Sequence, residues 1–98
     1  MNRPDSRREQ TLVRVLTIKN QFGLHARPSA LFVKLASRYE ADVLVEKDGN
    51  TVSGKSIMGL MTLEASLGSK MKVTAVGFDA DKVLYELEQL VDNKFYED

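Results

Sequence analysis

Asp42-Val43-Leu44-Val45-Glu46-Lys47-Asp48-Gly49-Asn50-Thr51-Val52-Ser53 is the stretch that decides the fold. Asp48-Gly49 accepts the positive φ angles of a tight hairpin turn, so Asp42–Lys47 and Thr51–Ser53 are expected as two antiparallel strands. Just downstream, Gly54-Lys55-Ser56 leads into Ile57, Met58, Leu60, Met61 and Leu63, a short apolar run that predicts a second helix with Ser56 as its N-cap. Upstream, Ala30, Leu31, Val33, Leu35 and Ala36 recur at helical spacing and predict a helix from Ala26 to about Tyr39. Pro28 falls in its first turn, where a missing N–H costs nothing.

Further out, Leu12 to Lys19 is rich in β-branched and apolar residues, with Leu16 and Ile18 on one face, and predicts a first strand broken by Asn20–Gly23. After the Gly68-Ser69 turn, Met71, Val73 and Ala75 alternate with Lys72, Thr74 and Val76 as in a half-buried strand. Asp79 is placed to cap a last helix carrying Val83, Leu84, Leu87, Leu90 and Val91 on one face. The order strand, helix, strand, strand, helix, strand, helix implies an α+β fold: an open-faced two-layer sandwich, its four-stranded, mainly antiparallel sheet covered on one face by three helices.

With 98 residues and 43% apolar composition, the chain suits one domain over 11–98 behind a polar, flexible tail over 1–10. Fourteen basic and fourteen acidic side chains cancel, which leaves no broad basic field for nucleic acid. The absence of cysteine removes disulfides, thiol nucleophiles and thiolate metal sites. No run of about 18 apolar residues occurs, and this reads as a soluble, cytoplasmic protein without membrane insertion. A single histidine and scattered carboxylates such as Glu64, Asp79 and Asp81 do not make a metal site, and no cofactor is expected.

His25 is that single histidine, in Gly23-Leu24-His25-Ala26-Arg27-Pro28, at the junction of a glycine turn and a helix start. The first amides of a helix lack intrahelical acceptors, and with the macrodipole they favour a dianionic phosphoryl group. Imidazole is substantially neutral near pH 7, so a ring nitrogen can act as a nucleophile without an activating base. Arg27 can grip phosphate oxygens in a bidentate fork. As a plain solvated arginine it would oppose the helix dipole. On residue type alone, a histidine at a helix start is more often a surface or capping residue; the hexapeptide around it argues otherwise.

That hexapeptide closely resembles the active-site stretch of the HPr family, the histidine-containing phosphocarriers of the bacterial phosphoenolpyruvate-dependent phosphotransferase system. Gly54-Lys55-Ser56-Ile57-Met58-Gly59-Leu60-Met61-Thr62-Leu63 resembles the family's regulatory-serine segment, at the expected distance from the histidine. The resemblance extends over about Val13 to Asp92, and two motifs in register are far more specific than one.

The resemblance implies that His25 takes a phosphoryl group on Nδ1 from phosphorylated enzyme I and donates it to enzyme IIA domains, with Arg27 steadying the phosphate. It implies a relay that is itself phosphorylated in each cycle, acting as a monomer, rather than a free-standing turnover enzyme. Ser56 is implied as the target of HPr kinase/phosphorylase, its phosphorylated form engaging a transcriptional regulator; its plain alternative is an N-cap. Phe22, Leu24, Lys55, Ile57, Met58, Leu60 and Met61 are the candidate partner surface, each with core packing or simple surface charge as the alternative. Phe22 and its neighbours look closer to nitrogen-related or regulatory branches, so the competing expectation is a regulatory module working by partner binding.

Overall fold

The computed structural model describes residues 9–97. The polar tail expected over 1–10 lies outside the described residues apart from Glu9 and Gln10. Four strands, β1 (Gln10–Thr17), β2 (Asp42–Lys47), β3 (Asn50–Ser53) and β4 (Lys70–Gly77), form one sheet in the order β1-β4-β2-β3. Every neighbouring pair is antiparallel. Three helices, α1 (Ala26–Ala36), α2 (Ile57–Thr62) and α3 (Ala80–Asp92), and a 3₁₀ turn at Lys94–Tyr96 make up the rest of the regular structure among the described residues. This is the α+β, open-faced sandwich expected from the order of elements.

The hairpin forms as its turn dipeptide demands: Asp48 and Gly49 take φ of 52° and 84°, pairing Lys47 with Asn50 and Leu44 with Ser53. A two-residue turn with both central φ values positive matches the right-handed twist of the strands it joins. β4 runs between β1 and β2, so Leu16 faces Met71 on one side and Val45 faces Val73 on the other. Those inward side chains meet Phe32 and Ala36 of α1, Leu60 of α2, and Val83, Leu84, Leu87, Leu90 and Val91 of α3 in a single buried cluster. Val13, Val15 and Leu44, on the opposite face, are exposed.

Three expectations need correction. β1 starts at Gln10, inside the expected tail, and ends at Thr17 rather than Lys19, because its pairing with β4 runs from Gln10–Gly77 to Thr17–Lys70. α1 ends at Ala36 rather than near Tyr39, its last turn relaxing into bonds from Arg38 N to Leu35 O and Tyr39 N to Ala36 O. Those short-range bonds satisfy carbonyls that would otherwise be orphaned where the chain turns back toward β2. Asp79 stands at the N-cap of α3 but makes no side-chain cap. Its carboxylate instead accepts from Glu40 N at 3.0 Å and Ala41 N at 2.9 Å. Those turn amides have a stronger claim than the helix amides, because Gly77 brings β4 so close that an added Cβ would lie 2.7 Å from Ala41 Cα.

Candidate functional site

The site begins with a loop that the backbone holds closed. Asn20 is fully buried and donates from Nδ2 to Gly23 O at 2.8 Å, fastening both ends of the turn after β1. Gly23 adopts φ of 67° and packs so tightly that a Cβ there would sit 2.2 Å from Ala65 O; no other residue fits that conformation and that space. Leu24 N then bonds Ala65 O at 2.9 Å, pinning the segment immediately before the histidine.

His25 is the N-cap residue of α1, extended at φ −77° and ψ −170°, and its side chain makes no cap bond. Its carbonyl accepts from Ser29 N at 3.0 Å, while Pro28 has no N–H to satisfy. The ring is therefore free to project beside the helix N-terminus, and its side chain is 42% exposed. Phe22 stands edge-on to it, with ring centroids 6.4 Å apart, and is itself widely exposed.

The first turn of α1 contains no acidic residue. An anion arrives from the far end of the sequence: Glu97 Oε2 lies 3.0 Å from His25 Nε2 and 3.8 Å from Arg27 Nη2, while Glu97 Oε1 accepts from Asn20 Nδ2 at 3.0 Å. Negative charge is favoured at a helix start. The chain reaches this point through Lys94, Phe95 and Tyr96, whose φ values of 56°, 54° and 59° are all left-handed. Each such non-glycine residue costs roughly 1–2 kcal/mol, a strain held here by the buried ring of Phe95.

The expected partner surface divides. Phe22, Ile57, Met58 and Met61 are exposed, but Leu24 and Leu60 are core residues at 5% and 0% exposure and cannot meet a partner. Leu24 is drawn in by its bond to Ala65, and Leu60 lies on the face of α2 turned toward the core. Lys55 is half-buried and donates from Nζ to Tyr39 O at 2.9 Å, securing the turn that follows α1. Ser56 caps α2 as its position suggested, Oγ accepting from Gly59 N at 2.9 Å. Sequence reading missed Asn20 and Glu97: asparagine in a polar turn is commonplace, and Glu97 lies 72 residues from the ring it touches.

A cavity of about 340 Å³ opens between α1 and α3, lined by Leu31, Leu35, Leu90 and Tyr96 among others; His25 is not part of its wall. Among the described residues no group of three His, Cys, Asp or Glu side chains is placed to hold a metal ion, and no helix is long and apolar enough to cross a membrane.

Fold and site together define a small α+β protein that presents one histidine to solvent at a helix N-terminus, with an arginine beside it. Residues 12–93 match the family model for the PTS HPr component phosphorylation site, and the chain belongs to the HPr family of phosphocarriers. It is 38% identical to the phosphocarrier protein HPr of Treponema pallidum over 87 residues, 89% of this chain and 99% of that one. It is 46% identical to the HPr-like protein Crh of Bacillus subtilis over 74 residues, 76% of this chain and 87% of that one. HPr from Thermoanaerobacter tengcongensis, known from a crystal structure, superposes with a TM-score of 0.85 at 44% identity, covering 89% of this chain and 98% of that one.

Proposed function

We propose that this protein accepts a phosphoryl group on His25 from phosphorylated enzyme I and passes it to enzyme IIA domains in the cytoplasm. One observation carries the reading: the imidazole is exposed at the start of α1, with Arg27 69% exposed beside it, and it stands outside the cavity between α1 and α3. A ring held so openly suits a phosphoryl donor mounted on another protein rather than an enclosed small substrate. A phosphoryl group there meets the positive end of the helix and a guanidinium able to fork two of its oxygens. The exposed Phe22, Ile57, Met58 and Met61 supply adaptable apolar contacts for more than one partner.

Ser56 is the second functional residue, a target for HPr kinase/phosphorylase. A phosphate on the N-cap residue keeps favourable contact with the helix amides, so its effect is local charge, about −1.5 to −2, which repels acidic partner surfaces and slows transfer. The likeness to Crh favours a second reading, a regulatory module that acts through phosphorylated Ser56 and a transcriptional regulator. The intact His25-Ala26-Arg27-Pro28 run weighs for the carrier.

Incubation with phosphoenolpyruvate and enzyme I tests this directly. Wild type should gain acid-labile phosphate and His25→Ala should gain none. Equal labelling of the two ends the relay reading, and labelling of neither, with partner binding by the Ser56-phosphorylated form alone, selects the regulatory one.

A further inference from the structure

We propose that Glu97 is a positioning residue for the transfer step: its carboxylate keeps the neutral His25 ring protonated on Nε2 and thereby leaves the phosphoryl-accepting lone pair on Nδ1. The proposal rests on the carrier reading and adds to it the group that selects the reacting nitrogen.

A carboxylate can only accept, so the 3.0 Å contact between Glu97 Oε2 and His25 Nε2 requires the hydrogen to be on Nε2. Neutral imidazole carries one N–H, and placing it on Nε2 makes Nδ1 the bare nitrogen. Among the described residues nothing hydrogen-bonds Nδ1. Glu97 is itself held. Its second oxygen accepts from the buried Asn20 amide at 3.0 Å, its side chain is only 14% exposed, and Arg27 Nη2 lies 3.8 Å away. The left-handed turn at Lys94–Tyr96, with Phe95 sunk into the core, delivers the carboxylate to this point. This is the arrangement by which a carboxylate fixes a catalytic histidine's tautomer from its far nitrogen.

The step balances without moving a proton. The Nδ1 lone pair forms the N–P bond while the donor's bond to phosphorus breaks and its electron pair leaves with the donor. The hydrogen on Nε2 stays, the ring becomes a cationic imidazolium, and Glu97 faces that charge. On donation the N–P bond breaks, its pair returns to Nδ1, and the ring is neutral again. Glu97 therefore stabilises the charged, phosphorylated ring more than the free one.

The test is ¹⁵N NMR of the histidine ring in the full chain at a pH where the ring is neutral, alongside the rate of labelling by phosphoenolpyruvate and enzyme I. Wild type should show mainly the Nε2–H tautomer. Glu97→Gln keeps an acceptor oxygen and should preserve that tautomer. Glu97→Ala and the shorter Glu97→Asp should shift it toward a mixture and slow labelling roughly tenfold, the scale of one charge-assisted hydrogen bond. Using both keeps the comparison available if one variant fails to fold. A tautomer that ignores residue 97 in a protein that still takes label overturns the Glu97 assignment alone. Failure of wild type to take label overturns the carrier reading, whatever the tautomer.

Discussion

Tyr39 donates its hydroxyl to Glu86 Oε2 at 2.6 Å, tying the chain after α1 to the middle of α3. That bond to a carboxylate, then burial and the nearby negative charge of Glu86, hold the phenol's pKa above its ordinary 10.0. A proton gripped more tightly when folded stabilises the fold in full below the unfolded value, and the contribution fades as pH climbs through the raised folded value. Tyr39→Phe should remove from the absorbance titration at about 295 nm a component lying above the usual tyrosine range, and should flatten the alkaline fall in stability. If the component lost instead lies within the usual tyrosine range, the Tyr39–Glu86 bond does not persist in solution. His25 and Arg27 were readable in the sequence because their chemistry depends on immediate neighbours, a glycine turn and a helix start. Asn20 and Glu97 were not, since each matters only for what a distant segment brings to it.

The corner where β4 passes into α3 is organised by Asp79, whose two carboxylate oxygens take the amides of Glu40 and Ala41. Sequence alone assigns an aspartate before an amphipathic run to helix capping, the commonest local use of that residue. What redirects it is a long-range approach: Gly77 and Ala41 touch, so the turn entering β2 presents its amides to the start of α3. Asp79→Ala should cost about 2 kcal/mol, because the buried Ala41 amide loses its acceptor. Asp79→Asn, which keeps one acceptor oxygen, should cost less. Urea midpoints of the two variants check the order; an alanine variant as stable as wild type would show that the bonds are replaceable by water. The elements themselves were legible wherever apolar periodicity was strong, as in α3 and β4, and boundaries slipped where short-range turns compete with the helix, as after Ala36.

At the scale of the whole molecule, one cluster joins both layers, and Phe32 sits where they meet. It is fully buried on α1, and its ring lies over the hairpin's exit: a Cβ added at Gly54 would fall 3.2 Å from that ring and 2.5 Å from Val43 Cγ1. Phe32 thus packs the site-bearing helix onto the sheet that carries it, and its neighbours have no slack with which to close a void. Phe32→Ala should cost about 3–5 kcal/mol, a large share of the roughly 5–15 kcal/mol that holds a domain together. Since the core is shared, the loss should lower the urea midpoint with no change in slope, and far-UV circular dichroism and tyrosine fluorescence should fall together. A changed slope, or a helix signal that melts apart from the tyrosine signal, would mean the layers unfold separately. In that case the placement of His25 would depend on the local loop bonds of Asn20 and Leu24 rather than on the core beneath α1.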